Sequence, residues 1–285
     1  MTVCVAATQM SCSWDVDENL AKADDLIRQA AGVGAQIVLP QEMFAHHFFA
    51  FSDWKPEYFA FAEPVDGPIV MHMSALAREL GVVIPVNFFE RANNAYYNTV
   101  AMIDADGSVV GTYRKTHIPV GPPGCFEKIY TSPGDTGFSA WSTQAATVGS
   151  GICWDQWFPE AARVMCLLGA EVLFYPTGIG SDCHDHWQRV IQGHAGANLT
   201  PIVISNRVGT ERGDLGEVTF WGRSFIAGPT GEVVAEADDH SDTFISATFD
   251  LDEIREMRAN WGVFRDRRPD AYGPLLTLDG STPAL

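Results

Sequence analysis

The sequence predicts an α/β fold in one domain, with sheets sandwiched between layers of helix. Strand-length apolar runs alternate with helix-period segments over nearly the whole chain. The 285 residues are 46% hydrophobic and 19% charged, enough to bury a sizeable core. No linker, internal repeat or low-complexity tract interrupts them, so residues 1–285 read as one domain and 260–285 as a tail over its surface.

The elements follow in order. Met1-Thr2-Val3-Cys4-Val5-Ala6-Ala7 reads as a first strand, and Gln36-Ile37-Val38-Leu39 as the next. Between them, Leu20, Ala23, Ile27, Ala30 and Ala31 share one helix face. Met73, Leu76, Ala77 and Leu80 mark a second helix, ended by Gly81 before the strand Val82–Val86. Asn98–Asp104 and Val109–Tyr113 flank the turn Ala105-Asp106-Gly107 as a hairpin. A strand ending at Ile152 precedes a helix opened by Pro159, with Ala161, Val164, Met165 and Leu168 inward. The strand Glu171–Tyr175 follows. Asp185 caps a further helix whose inner face carries Trp187, Val190, Ile191 and His194. Pro201–Ser205, Ser224–Ala227, Val233–Ala235 and Phe244–Phe249 complete the strands.

Charge narrows the function. Lys+Arg is 18 and Asp+Glu is 36, a net charge of −18, which repels nucleic acid and anionic lipid. The acidity suits a cationic small molecule, or serves solubility alone. No apolar run reaches the roughly 18–20 residues of a membrane span, and the N-terminus lacks the basic region of a signal peptide. The cysteines (4, 12, 125, 153, 166, 183) form neither a CxxC pair nor a disulfide framework, so a reduced, cytoplasmic protein is expected. Cys183-His184-Asp185-His186 is too compact for its side chains to converge on one ion, so no metal is expected.

Three segments share one grammar, an apolar strand followed at once by a reactive side chain. They end in Glu42, Lys115 and Cys153. Each alone has a plain reading: a solvated carboxylate, a surface charge, a small core residue. Together, at strand ends where α/β folds gather their loops, they make a catalytic set. Only a thiolate attacks well, so Cys153 needs a base, and a buried Glu42 can take its proton. Lys115 and the backbone N–H of Trp154 would hold the oxyanion, each such donor contributing roughly 3–4 kcal/mol to the transition state. His117 shares a face with Lys115 and reads as a structural hydrogen-bonder.

At these residues the chain resembles the nitrilase, or carbon–nitrogen hydrolase, superfamily. The motifs are Leu39-Pro40-Gln41-Glu42, Tyr113-Arg114-Lys115-Thr116-His117-Ile118-Pro119 and Gly151-Ile152-Cys153-Trp154-Asp155, with Trp261-Gly262-Val263-Phe264-Arg265 near the end. The resemblance implies an αββα sandwich that pairs with a second copy into αββα–αββα, the tail packing at the subunit interface. It implies no cofactor, and a Glu42–Lys115–Cys153 triad cleaving an amide-type C–N bond. It also implies that Glu127 orients the lysine and the substrate. Trp154, Phe48 and Thr177 fall where substrate would bind.

Within the superfamily, Asn93-Asn94-Ala95-Tyr96-Tyr97-Asn98 and Asp155-Gln156-Trp157-Phe158-Pro159-Glu160 are most similar to the N-carbamoylputrescine amidohydrolases. Ala45, His46, His47, Phe48 and Val120 depart from that pattern, and the loop Gly180–His184 is short. The departures remove acidic groups that would greet a cationic tail, while Phe48, Phe49, Phe51 and Trp54 line an apolar pocket or serve as core. An aliphatic amidase, an N-carbamoyl amino acid hydrolase, a nitrilase and an inactive scaffold stay open as alternatives.

Overall fold

The computed structural model describes residues 1–51, 54–120, 125–180, 183–214 and 216–281. In chain order the elements are β1 (Thr2–Gln9), α1 (Val16–Gly32), β2 (Ile37–Leu39), α2 (Pro68–Leu80), β3 (Ile84–Ala92), β4 (Ala95–Ile103), β5 (Val109–Arg114) and α3 (Glu127–Tyr130). Then come β6 (Ala140–Ser142), β7 (Thr147–Ser150), α4 (Pro159–Leu167), β8 (Val172–Pro176), α5 (His184–Asn198) and β9 (Ile202–Ser205). The last are β10 (Val208–Gly213), β11 (Gly216–Trp221), β12 (Phe225–Ala227), β13 (Val233–Glu236), β14 (Thr243–Asp250) and α6 (Leu251–Trp261).

One layer runs β14-β1-β2, continued through a parallel bridge between Ile37 and Val83 into β3-β4-β5. The other runs β13-β12-β9-β8-β7-β6. The period of two along each strand sorts its side chains between layers. In β1, Val3, Val5 and Ala7 enter the seam between the sheets with Val172, Phe174 and Val203. Ala6 faces the other way, with Leu26 and Ile27 of α1 and Met73 and Leu76 of α2. In β8, Leu173 and Tyr175 meet Met165, Trp187 and Ile191 of α4 and α5. The chain is therefore the expected αββα sandwich.

Some local expectations shift. Cys183 takes the cap position of α5 and Asp185 lies inside the first turn. Trp187 and Ile191 are buried as expected, but Val190 and His194 are only partly so. In α4 the buried stripe is Ala161, Ala162, Met165 and Cys166, leaving Val164 and Leu168 exposed. A 3.6-residue period tolerates a neighbouring stripe when apolar residues lie on both. The hairpin β10–β11 and helix α6 lacked a clean apolar signal because both are half-exposed. Residues 52–53, 121–124, 181–182, 215 and the last four of the tail, 282–285, lie outside the described residues.

Candidate active site

Glu42 stands three residues beyond β2, Lys115 directly follows β5, and Cys153 lies three residues beyond β7. The fold brings them together. Lys115 Nζ donates to Glu42 Oε1 at 2.8 Å and to Glu127 Oε1 and Oε2 at 2.9 and 2.7 Å. Cys153 feels the charges of Glu42, Lys115 and Glu127, and takes a hydrogen bond from the Gly178 backbone. Glu42 and Lys115 are fully buried, and Glu127 and Cys153 nearly so.

Backbone strain aims two of these groups. Cys153 has φ +43° and Met43, just after Glu42, has φ +51°. Non-glycine residues hold that left-handed region only when their surroundings impose it. Met43 is gripped on both sides: its N–H donates to Asn87 Oδ1 at 2.8 Å, and its carbonyl accepts from Arg207 Nη1 at 3.0 Å. Arg207 is fully buried and also donates to the carbonyls of Glu42 and His46, both at 2.9 Å, with Glu211 balancing its charge. Beside Cys153, Asp155 accepts from Ile152 N–H at 3.0 Å, Tyr113 O–H at 2.7 Å and His117 N–H at 3.0 Å. His117 Nδ1 lies 2.8 Å from the same carboxylate, and its ring stacks on Phe158 at 3.6 Å. This one buried carboxylate ties the Lys115 segment to the cysteine turn, so His117 is the structural partner its place suggested.

Glycine is required at two close approaches. A Cβ on Gly151 would sit 2.5 Å from the Tyr175 ring. One on Gly178 would come within 3.0 Å of Phe48 and Arg207 and 3.4 Å of Glu42 Oε2.

The electrostatics follow from burial. Desolvation works against the Lys115 charge, but Glu127 and Glu42 outweigh it and hold its pKa well above the ordinary lysine value. Burial, then Glu42, push the Cys153 thiol well above its ordinary value, against Lys115 and the Gly178 N–H. Burial also raises Glu127, with Lys115 and Asn98 opposing. At neutral pH Cys153 is therefore a thiol, and it would need a base in order to attack. Glu42 Oε2 is buried with no hydrogen-bond partner among the described residues, which leaves it open to receive a proton. All three N–H groups of Lys115 point at carboxylates. To hold an oxyanion the ammonium must loosen one of these three contacts.

Phe48 and Phe49 line a small cavity with Met43, Ala50, Asn98, Glu127 and Thr131. Phe48 also packs against Phe220 and Phe51. Phe48 thus lies on the Glu127 side of the cluster. Trp154 is 39% exposed and its ring packs beside Trp157 and Phe158. Thr177 is fully buried, and the nearest partner of its hydroxyl is the Tyr175 carbonyl at 3.4 Å. Its neighbour Gly178 is the residue that reaches Cys153. His46 and His47 belong to the aromatic core: His47 stacks on Trp14 at 4.0 Å and His46 on Phe61 at 5.0 Å. Burial and Arg207 push His46 down to about 4, so it is uncharged near neutrality. Ala45 is buried, while Val120 is exposed. Among the described residues no cluster could hold a metal ion.

Asn87, Asn98, Asp155, Arg207 and Gly178 were not singled out from sequence for these roles. The available signal was a polar side chain inside an apolar strand, as with Asn98 in β4, since burial demands a partner there.

Compared with known proteins, the chain matches the carbon-nitrogen hydrolase family over residues 4–259. An N-carbamoylputrescine amidase from Solanum lycopersicum is 57% identical over 99% of this chain and 97% of its own. A citrullinase from Francisella tularensis is 50% identical over 95% and 97%. The crystal structure of a carbon-nitrogen hydrolase from Helicobacter pylori superimposes with TM-score 0.92 at 35% identity, covering 98% of this chain and 99% of that one.

Proposed function

The chain belongs to the carbon–nitrogen hydrolase family, and we propose that it hydrolyses the terminal ureido group of a linear alkylurea, N-carbamoylputrescine first among them. The products are putrescine, carbon dioxide and ammonia. The observation that carries this is a buried thiol beside a carboxylate with one open oxygen and a lysine locked between two carboxylates.

In this mechanism the Cys153 sulfur bonds to the ureido carbon while Glu42 takes its proton. The carbonyl oxygen becomes an oxyanion, held by Lys115 and backbone N–H groups. Glu42 returns the proton to the departing nitrogen, which leaves as ammonia. Water then attacks the carbamoyl thioester as Glu42 takes its proton, and that proton goes back to sulfur when the C–S bond breaks. The carbamic acid released loses carbon dioxide, leaving the amine. Glu127 keeps Lys115 in place throughout.

The similarity to N-carbamoylputrescine amidases and to a citrullinase supports a terminal ureide as the shared substrate feature. The tails of those two substrates differ by an amino-acid carboxylate. Arg207 is no receptor for one, because its guanidinium is committed to Glu211 and three carbonyls. Phe48 and Phe49 give the Glu127 side of the site an apolar wall, against which the alkyl stem common to both tails would lie. Ammonia release from N-carbamoylputrescine, citrulline, N-carbamoyl-β-alanine and short aliphatic amides tests this. N-carbamoylputrescine should exceed N-carbamoyl-β-alanine by about tenfold or more in kcat/KM. A faster carbamoyl amino acid would reassign the substrate, and silence throughout would favour a scaffold.

Val120→Asp should raise selectivity for cationic over neutral ureides by about two- to fivefold, the scale of one exposed ion pair. An unchanged ratio in competition assays would place position 120 outside the tail's path.

The reading extends to a homodimer or higher oligomer in the cytoplasm. Supporting it are the exposed Val164, Leu167, Leu168, Trp261, Leu275 and Leu276, an apolar set typical of interfaces. No disulfide links the described cysteines, and no described helix is long and apolar enough to cross a membrane.

A further inference from the structure

We propose that Asn98, oriented by Asn87, is a positioning residue that decides which oxygen of Glu42 carries the catalytic proton. The proposal rests on the reading of Glu42 as the proton carrier.

The orientation of both amides is set by backbone groups whose polarity is unambiguous. Met43 N–H donates to Asn87 Oδ1 at 2.8 Å, which turns Asn87 Nδ2 toward the Thr99 carbonyl at 3.1 Å and Asn98 Oδ1 at 2.7 Å. Asn98 must then present Nδ2 to the site. It donates to Glu42 Oε1 at 2.7 Å and Glu127 Oε1 at 2.9 Å. The opposite orientation would set an amide oxygen against two carboxylates.

Lone-pair counting gives the consequence. Glu42 Oε1 accepts from Asn98 and from Lys115, which fills both of its acceptor sites. Oε2 accepts from no described group. A proton arriving at Glu42 therefore settles on Oε2, the oxygen beside Gly178, whose N–H meets the Cys153 sulfur. Without Asn98 one site on Oε1 is vacated, and a proton can lodge there, turned away from the thiol. Glu127 also loses a donor that favours its ionised form. The charged and titratable groups facing Glu42 are Lys115 after β5, Cys125 and Glu127 at α3, Cys153 after β7 and Arg207 after β9. Of these, Glu127 is the one hydrogen-bonded to Asn98, and it loses that bond when position 98 is changed.

The test is the pH profile of kcat/KM for ammonia release from N-carbamoylputrescine by the full chain carrying Asn98→Ala or Asn98→Asp. For Asn98→Ala the acidic limb should move up by about half to one pH unit, with kcat lowered about 10- to 100-fold and KM changed less than about threefold. Asn98→Asp is nearly isosteric and keeps the acceptor toward Asn87. It can donate to the carboxylates only when protonated, so its residual activity should shift to lower pH. A folded Asn98→Ala enzyme whose acidic limb stays within about 0.2 unit of the parent would overturn the proposal. So would loss of folded protein in both variants by circular dichroism, since the pair would then be structural. A parent enzyme that releases no ammonia from any ureide is a separate outcome, which removes the functional reading itself.

Discussion

Cys153→Ala is expected to reduce ammonia release by about 10⁴-fold or more, the scale seen when a covalent nucleophile is removed. The fold should survive. The change deletes a single sulfur atom from a residue that packs mainly with Val100, Tyr113 and Ile152, and alanine bears the left-handed φ no worse than cysteine. The expected cost is about 1 kcal/mol, or a fall in Tm of about 2–4 °C. Intact-protein mass spectrometry gives an independent reading: the parent, quenched during turnover, should carry a carbamoyl adduct that the variant lacks. Turnover by the alanine variant within about a hundredfold of the parent would remove Cys153 from the chemistry.

Lys115→Met should be the more damaging change to the molecule as a whole. The ammonium is fully buried and is held by two carboxylates. Removing it leaves two buried carboxylates sharing the Asn98 amide with no cation between them. Breaking a buried ion pair from one side costs about 3–5 kcal/mol, so Tm should fall by about 10 °C. Activity should fall at least about 10²-fold through loss of the oxyanion partner. The double variant Lys115→Met/Glu127→Gln removes one of the stranded charges and should recover part of the Tm without recovering activity. That split separates the ammonium's structural role from its chemical one. A loss in kcat of less than about tenfold for the single variant would place Lys115 outside the reaction.

Two of the expectations taken from sequence concern assembly and substrate, and here the legible part thins out. The alternation that located most strands and helices is a property of each segment alone, because side-chain direction repeats every two residues in a strand and every 3.6 in a helix. Glu42, Lys115 and Cys153 stood out for the same local reason: each follows an apolar strand, where α/β folds gather loops. Phe48, Trp154 and Thr177 show the limit. Phe48 lines a cavity with Glu127 and Asn98, the Trp154 ring packs beside Trp157 and Phe158, and the Thr177 hydroxyl meets the Tyr175 carbonyl, and none of these contacts is readable from chain position.

What the amino-acid order by itself determined was the class of fold and the three reactive groups, through periodicities and strand-end contexts that need no partner to be read. What only the folded chain decided was how those groups are held: Asn98 and Asn87 across β3 and β4, Asp155 between two loops, Arg207 under the Glu42 backbone, Gly178 against the sulfur. The physical reason is that a buried polar side chain acquires its role from whichever donor or acceptor lies opposite it. For Arg207 and the carbonyl of Glu42 that partner is 165 residues away along the chain.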